Sequence, residues 1–224
     1  MKLTRRLRRI VDLCPKLERW ADVGCDHGRT SCALILEEKA DTVFAADISA
    51  PSLAKAGELA KLIGIEDKIQ LRLGDGLSPL REDSVEGVVL SGMGGPLILD
   101  IFRAEPEVLA SLKYMVVSPQ KYPERVRKFL NEEGWFIEKE AMVEEQGKYY
   151  PVFAVRKGQD QAYTEEELLT GRRVEADEDY AKFLRYKVGF WQGVLDGVSE
   201  EPLRQEISRK IAVYSGELKN KFDI

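Results

Sequence analysis

Short apolar runs alternate with amphipathic stretches along residues 19–134, and this alternation predicts the fold class. The apolar runs are RWADVGC (19–25), TVFAADIS (42–49), KIQLRLGD (68–75), EGVVLSGMGG (86–95) and LKYMVVSP (112–119). Stretches with helical periodicity lie between them at 28–40, 50–64, 96–102 and 122–134. Ser49 is the expected N-cap of the second of these helices, and Gly64 its expected end. The pattern predicts an α/β fold with a mostly parallel, doubly wound sheet.

The alternation stops after residue 134. Segments 135–145 and 149–157, joined by QGK, are typical of an antiparallel hairpin that ends the sheet. Residues 158–164 (GQDQAYT) are predicted to form a linker, and two apolar stripes separated by DGVSEEP then predict a helical hairpin of coiled-coil type. The stripes are Phe183, Leu184, Lys187, Val188, Trp191 and Leu195, and Leu203, Ile207, Ile211, Tyr214, Leu218 and Phe222. We expect one domain over residues 1–160 and a helical domain over residues 161–224.

The N-terminal segment predicts an amphipathic helix with an unusual charge. Its apolar positions Leu3, Leu7, Ile10, Val11 and Cys14 recur at helical spacing, and Thr4 is a plausible N-cap. Four arginines fall in the first turns, where positive charge opposes the helix dipole. Residues 1–19 carry seven Lys or Arg against two acids. Either this is a solvated helix face or an anionic partner binds here; the candidates are Arg5, Arg6, Arg8 and Arg9.

Composition limits the cellular compartments and the classes of binding partner that we expect. No run of eighteen uncharged apolar residues exists, and the basic N-terminus lacks the apolar core of a signal peptide, so we expect no membrane segment. The three cysteines have no metal-ligand spacing, which favours reduced thiols in a cytoplasmic protein without a metal. A net charge of −5 means that any nucleic-acid partner must use a local basic patch.

The segment ADVGCDHG (21–28) contains the candidate chemistry. It lies at the first strand-to-helix turn, where ligands bind in doubly wound folds. A dinucleotide fingerprint requires glycine where Asp26 stands, and a carboxylate there would repel a pyrophosphate by about 1–4 kcal/mol. The acid therefore favours a phosphate-free, cationic nucleoside cofactor such as S-adenosylmethionine (SAM).

Two further acids end the second and third predicted strands. Asp47 can accept hydrogen bonds from ribose hydroxyls, and Asp75, followed by Gly76, from an adenine amino group. Each acid alone is also a common turn residue, but three acids at three successive strand ends favour the cofactor site. The fourth strand ends in SGMGGP (91–96), whose glycines leave room for a flat substrate or form a simple glycine-rich turn.

These residues together carry a resemblance. LTRRL, ADVGCDHG, AADI, GDGL, SGMGG and EEQGKYYPV resemble the bacterial tRNA (adenine-N1)-methyltransferase family that modifies adenosine 22 in the D-arm. The resemblance implies a Rossmann-like class I methyltransferase fold, SAM as cofactor and tRNA as partner. Two departures are Thr30 and Ser31, where the family has a hydrophobic residue and proline, and Ser118-Pro119-Gln120, where it tends to have Q-P-N.

We assign expected roles from the strand ends and the resemblance together. Asp26 is the expected catalytic residue. The expected cofactor contacts are Asp22, Gly24, Cys25, His27, Gly28, Asp47, Ile48, Asp75, Gly76, Gly92 and Met93. The expected substrate contacts are Arg5, Arg6, Arg8, Arg9, Gly94, Gly95, Pro119, Gln120 and Tyr150.

The expected chemistry is positioning and electrostatics, because adenine N1 already carries a lone pair. The Asp26 carboxylate can accept from the 6-amino group and stabilise the positive charge that the ring gains. His27 either shapes the loop or bonds to Asp26. Two alternatives stay open: a SAM-dependent methyltransferase for a small molecule or protein, and a non-catalytic RNA-binding module on the same fold. The oligomeric state is also open, and a monomer is compatible with the sequence.

Overall fold

The computed structural model describes residues 1–222; residues 223 and 224, the end of the predicted helical domain, lie outside the described residues. Helices and strands follow in the order α1 (Arg5–Leu13), β1 (Arg19–Val23), α2 (Arg29–Leu36), β2 (Thr42–Asp47), α3 (Ala50–Leu62), β3 (Ile69–Leu73), β4 (Gly87–Ser91), α4 (Gly95–Ala104), α5 (Pro106–Ser111), β5 (Tyr114–Ser118), α6 (Pro123–Glu132), β6 (Trp135–Glu145), β7 (Lys148–Lys157), α7 (Glu165–Thr170), α8 (Glu178–Asp196) and α9 (Glu201–Phe222).

One seven-stranded sheet contains every named strand, in the order β3-β2-β1-β4-β5-β7-β6. The pairs among β1 to β5 are parallel, whereas β7 runs antiparallel to both β5 and β6. The predicted α/β class, the mostly parallel sheet and its terminal antiparallel hairpin are confirmed. The strand order reverses between β1 and β4, and such a switch point opens a ligand crevice at the carboxyl ends of the strands.

Local sequence signals set several element ends. The Thr4 side chain accepts from the Leu7 amide at 3.4 Å, and the Ser49 side chain accepts from the Ser52 amide at 3.3 Å. Both predicted N-caps are therefore present. The hairpin turns at Gln146 and Gly147, whose φ angles of 54° and 74° are those of a tight two-residue turn.

Two apolar layers cover the sheet. One face packs against α1, α2 and α3 around Trp20, and the other packs against α4 and α6 around Phe102 and Trp135. The strands in the middle of the sheet are apolar along their whole length because both of their faces are buried.

Three segments differ from the sequence-based expectation. Helix α5 was not predicted, because its six residues are too few to show a period. The acidic stretch after residue 163 forms α7, whose capping box pairs Thr164 with Glu167. Residues 158–164 contain no helix or strand, but the predicted linker is anchored: the Asn131 amide donates to the Asp160 carbonyl, and the Asp160 carboxylate pairs with Arg173 at 2.5 Å.

Helices α8 and α9 pack on each other and on the hairpin. Their shared core contains Tyr180, Phe183, Leu184 and Tyr214 together with Met142 of β6. Leu203 of the predicted stripe is exposed instead. Among the helices formed by residues 1–222, none combines the length and apolar character needed to cross a membrane.

Candidate active site

A pocket of about 640 Å³ opens at the switch point, at the carboxyl ends of β1 and β4. Its walls come from α1, the β1–α2 loop, the β4–α4 loop and the β5–α6 loop. The lining residues are Arg6, Leu7, Asp22, Gly24, Cys25, Asp26, His27, Arg29, Thr30, Ser91, Gly92, Met93 and Gln120. No cluster of three or more potential metal ligands occurs among residues 1–222.

The β1–α2 loop turns through three left-handed residues, Gly24, Asp26 and Gly28, with φ angles of 71°, 49° and 68°. Glycine adopts this region freely, whereas a side chain there costs of order 1–3 kcal/mol and aspartate is among the better tolerated. The amides of Gly24 and Cys25 both donate to the Ala46 carbonyl of β2, at 2.8 and 3.1 Å. The surrounding structure therefore holds Asp26 in a strained conformation at the pocket mouth.

Asp26 and His27 form a pair. Nδ1 of His27 lies 2.6 Å from Oδ2 of Asp26, and their side chains are 50% and 70% exposed. When Nδ1 carries a proton, the imidazole donates to the carboxylate and fixes its direction, which leaves Oδ1 available to a ligand.

Asp22 is buried at the floor of the pocket. Its Oδ2 accepts from the Ser31 amide at 3.0 Å and from the Ser31 hydroxyl at 2.7 Å. Burial raises the pKa of Asp22 to about 6, although the two bonds from Ser31 act in the opposite direction. Ser31, one of the departures from the family pattern, therefore has a structural role as the donor that partly stabilises this buried carboxylate.

Asp47 lies at the end of the neighbouring strand and supports the same loop. Its Oδ2 accepts from the Asp26 amide at 3.0 Å, and its Oδ1 accepts from the Ser49 amide at 2.8 Å. Ile48 beside it is 73% exposed. Asp75 is exposed in the turn after β3, one strand further along the sheet, so the three acids Asp22, Asp47 and Asp75 follow the strand order β1, β2, β3.

Two loops on the other side of the pocket are joined to each other. The Gln120 amide donates to the Met93 carbonyl at 2.8 Å, and the Gly95 amide donates to the Lys121 carbonyl at 2.8 Å. Pro119 is buried between β5 and Gln120. The predicted acceptor loops after β4 and β5 therefore form one continuous wall, in which Met93 and Gln120 face the pocket.

Several residues expected to contact the ligand do not line the pocket. For three of them, packing against neighbouring residues explains why the residue is glycine. A Cβ on Gly28 would come 2.7 Å from the Cβ of Ala56, so this glycine lets α3 approach the loop. A Cβ on Gly95 would come 2.7 Å from the Lys121 carbonyl oxygen, and one on Gly76 would come 3.0 Å from the side chain of Ile101. Asp47, Ile48, Asp75, Gly94, Pro119 and Tyr150 also lie outside the set of lining residues.

Gly24 and Cys25 do line the pocket. A Cβ on Gly24 would meet only Cε of Met93, the flexible end of that side chain, so the φ angle of 71° rather than packing is what favours glycine here. Burial raises the pKa of the Cys25 thiol far above its ordinary value of 9.0, so the thiol stays protonated and is a poor nucleophile.

The basic residues of α1 divide into two groups. Arg6 lines the pocket, and its guanidinium carbon lies 4.8 Å from the centroid of the Tyr150 ring. The other three bind carboxylates of this chain: Arg5 pairs with Glu144 and with Asp179 at 2.8 Å, Arg8 pairs with Glu37 at 2.6 Å, and Arg9 pairs with Glu175. The positive charge at the start of α1 thus has anionic partners inside the protein, and the RNA-binding role of these three arginines stays a prediction.

Four lining residues were not predicted: Leu7, Arg29, Thr30 and Ser91. Leu7 was assigned to the apolar stripe of α1. Ser91 is the last residue of β4, and Arg29 and Thr30 are the first residues of α2. The sequence signal that could have identified Ser91, Arg29 and Thr30 is their position at a strand end or a helix start. The same signal identified Asp47.

Comparisons with known proteins point to methyltransferases. The chain matches a family model described as a methyltransferase domain over residues 3–153. It is 30% identical over 189 residues to a Bacillus subtilis (strain 168) protein named tRNA (adenine(22)-N(1))-methyltransferase, covering 83% of this chain and 79% of that protein.

Two solved structures are similar over nearly the whole chain. The B. subtilis m1A22 tRNA methyltransferase TrmK has a TM-score of 0.77 and 22% identity, with 99% of this chain and 98% of that chain covered. M. capricolum TrmK, solved in complex with S-adenosyl-homocysteine, has a TM-score of 0.85 and 19% identity, with 98% and 99% covered. At these identities the likeness establishes the fold, including the C-terminal helices.

Proposed function

The chain belongs to the tRNA (adenine(22)-N(1))-methyltransferase family, and we propose that it transfers a methyl group from SAM to N1 of an adenine in tRNA, adenosine 22 being the expected target. The observation that carries this function is the sequence relationship to the B. subtilis enzyme over 83% of the chain. The pocket at the switch point supports it independently, because its acids suit a cationic nucleoside cofactor.

The residues present fit SAM and do not fit a pyrophosphate. Asp22, Asp26 and Asp47 lie on or beside the β1–α2 loop, so the local charge is negative where a dinucleotide would place its phosphates. We assign Asp47 and Asp75 to the ribose and adenine, and Asp22 to the side that receives the ammonium group. When bound, SAM supplies an electrophilic methyl group on a sulfonium.

The chain's own residues position the acceptor and stabilise its charge. The N1 lone pair of adenine forms the new N–C bond as the S–C bond breaks, so no proton has to leave before transfer. The ring becomes cationic, and the Asp26 carboxylate accepts from the 6-amino group and stabilises that charge. His27 holds the other carboxylate oxygen, while Met93 and Gln120 form the wall against which the adenine lies.

The RNA must deliver an unpaired adenine to this pocket. N1 is engaged when adenine is paired, so the target nucleotide has to be extruded, at a cost of a few kcal/mol. Arg6, held against the Tyr150 ring at the pocket wall, is the cation that we assign to the backbone of that nucleotide. A tRNA substrate also favours a cytoplasmic location for the activity.

The test is a product analysis. The protein is incubated with methyl-labelled SAM and unmodified tRNA, and the digested RNA is examined by mass spectrometry for 1-methyladenosine. A matched transcript with guanosine in place of adenosine 22 is the control. Appearance of 1-methyladenosine only in the first transcript supports the proposal. Methylation of both transcripts would mean that an adenine other than adenosine 22 is the target. SAM binding without any methylated nucleoside would reject tRNA as the substrate.

A further inference from the structure

The β5–α6 loop continues from the pocket wall to a strained tyrosine. Gln120 lines the pocket, and Tyr122 follows two residues later, so their Cα atoms are at most about 7 Å apart. Tyr122 has a φ of 55° and a ψ of 48°, in the left-handed region that bulky side chains avoid. Pro123 comes next, and a proline favours extended backbone in the residue before it. Tyr122 therefore violates two local preferences at once.

Backbone contacts hold Tyr122 in this conformation. The Gly95 amide of α4 donates to the Lys121 carbonyl at 2.8 Å, just before the strained residue. The Arg125 amide donates to the Tyr122 carbonyl at 3.1 Å, just after it. A Cβ on residue 95 would come 2.9 Å from the Tyr122 carbonyl oxygen, so the glycine there makes room for the strained turn. Strain that the surrounding structure maintains is typical of functional positions.

The Tyr122 ring is only partly covered. Its side chain is 49% exposed, and the guanidinium carbon of Arg125 lies 4.8 Å from the ring centroid. Tyr122 belongs to neither apolar layer of the sheet, and no other ring within residues 1–222 packs on it. Packing inside the chain therefore does not account for the aromatic side chain. The arginine covers one face of the ring and leaves the other accessible to a ligand.

The cations beside this ring are available to an anion. Lys121 and Arg125 are exposed, and neither forms an ion pair within residues 1–222. The nearest acid in sequence, Glu124, is half-buried and close enough to Lys187 of α8 to oppose the lowering of that lysine's pKa by burial. On the other side of the pocket, Arg29 is also exposed and has no ion pair in the described chain. A polyanion that crosses the pocket would meet unpaired cations on both sides.

We propose that the open face of the Tyr122 ring stacks on the base next to the target adenine, with Lys121 and Arg125 contacting the phosphates on that side; this inference rests on the proposed function. Extrusion of the adenine deprives the neighbouring base of its stacking partner, and a ring beside the pocket replaces it. The guanidinium on the opposite face of the ring adds positive charge without occupying the stacking face. Because the target adenine is assigned to the wall formed by Met93 and Gln120, Tyr122 acts on a different nucleotide.

The test is a double-mutant cycle between the ring and the base. Tyr122→Leu removes the ring, and two tRNA transcripts each carry an abasic residue on one side of the methylated adenosine, or of adenosine 22 if no product forms. Binding of these transcripts and of the intact one is measured with the protein loaded with S-adenosyl-homocysteine, together with Tm and cofactor affinity. Tyr122→Phe retains the ring, and Leu62→Ala, at an 82% exposed position on α3, is the control for an unrelated surface change.

We expect Tyr122→Leu to raise the Kd for the intact transcript about tenfold, with cofactor affinity unchanged. On one of the two abasic transcripts the same substitution should change Kd by less than about twofold, because the base that stacks is already missing. Tyr122→Phe and Leu62→Ala should bind each transcript as the wild type does.

Tyr122→Gly separates a binding role of the ring from a structural one. Glycine relieves the strained backbone and removes the ring, so this variant should have a Tm no lower than that of the wild type. Its affinity for the intact transcript should be as low as that of Tyr122→Leu. A lower Tm with wild-type tRNA affinity would show that the ring serves the fold, and would overturn the stacking role.

Wild-type affinity of Tyr122→Leu for the intact transcript would also overturn the stacking role. So would an equal loss of affinity on all three transcripts, because the ring would then not act through a neighbouring base. The two proposals fail separately. Formation of 1-methyladenosine with independent effects of ring and base rejects only the stacking role, and coupled effects without any methylated product reject only the reaction.

Discussion

The Asp26 amide donates to the Asp47 carboxylate across 3.0 Å, so the acid assigned to the cofactor also fixes the loop that carries the proposed catalytic acid. The second oxygen of Asp47 holds the start of α3 through the Ser49 amide. Each carboxylate oxygen keeps further acceptor capacity for ribose hydroxyls. The proposed cofactor contact and the placement of the proposed catalytic residue therefore share one side chain.

We expect Asp47→Asn to weaken SAM binding roughly 10- to 100-fold, because the amide loses the charge and can accept from only one of its two backbone partners. Calorimetric titration with SAM measures the effect. Asp41→Asn, an exposed acid before β2, is the matched control and should bind SAM normally. Equal SAM affinity in the two variants would remove Asp47 from the cofactor site.

We expect Asp26→Asn to lower kcat by about 10² to 10³ while leaving SAM affinity within roughly twofold, because the charge acts on the methylated ring. Asparagine suits this test, since it also tolerates the left-handed conformation of residue 26. Single-turnover methyl transfer to tRNA measures the rate.

Asp26→Gly provides the control for backbone strain. It should be more stable than the wild type by about 1 kcal/mol and equally inactive, because glycine relieves the strain and removes the carboxylate. An unchanged transfer rate in either variant would exclude Asp26 from the chemistry.

Asp22 predicts a pH-dependent stability. Its pKa is about 6 in the folded protein against an ordinary value of 3.8, so the folded state binds the proton more tightly. The associated stability is present below pH 4 and is lost as pH rises through 6. The gap between the two pKa values corresponds to roughly 3 kcal/mol at neutral pH.

Urea unfolding of the wild type and of Asp22→Asn between pH 4.5 and 7.5 measures this dependence. The stability of the variant relative to the wild type should increase as pH rises across this window. A constant difference between the two proteins would mean that Asp22 does not titrate there.

Arg6 and Arg8 form a matched pair on the same helix. Arg6 faces the pocket, whereas Arg8 is bound to Glu37 through two contacts of 2.6 and 2.7 Å. We expect Arg6→Ala to raise KM for tRNA and to lower the salt slope of binding by about one, without changing SAM affinity. Arg8→Ala should alter neither, and should change stability by less than about 1 kcal/mol. Equal effects of the two substitutions on tRNA binding would mean that Arg8 contacts the RNA as well as Arg6.

A buried ion pair predicts strong coupling between α6 and β6. Nε of Arg127 lies 2.8 Å from Oε2 of Glu140, and both side chains are almost fully buried. We expect Arg127→Met to destabilise the protein by about 3–5 kcal/mol, because Glu140 would remain buried without its partner. Arg127→Met/Glu140→Leu should recover most of that loss in urea unfolding. A double variant no more stable than Arg127→Met would show that the pair does not act as a unit.

The sequence was sufficient for the sheet and its hairpin, because buried strands must be apolar and the turns around them require particular residues. It was also sufficient to locate the pocket, since Gly24 and Asp26 mark the first strand-to-helix turn. It could not show that arginines of α1 form ion pairs within the chain, because their partners Glu37, Glu144 and Asp179 are distant in sequence.

Glycine positions show a second limit of sequence reasoning. Gly28 and Gly95 were expected at the ligand, yet their missing side chains leave room for Ala56 and for the Lys121 carbonyl. A glycine that admits a ligand and one that admits a neighbouring helix are identical in a sequence. Only the spatial neighbours distinguish them.

The contact between Glu140 and the segment before α8 has a consequence for self-association. Strand β6 is the last of the sheet, and its backbone at Glu140 bonds to Arg173 and Glu175, while the strand is irregular between Ile137 and Lys139. An uncovered, regular edge strand is a template on which other chains polymerise. Cutting the chain after β7 would strip that cover and expose the edge to strand addition between molecules. The segment before α8 thus blocks strand pairing at Glu140, in the middle of this edge.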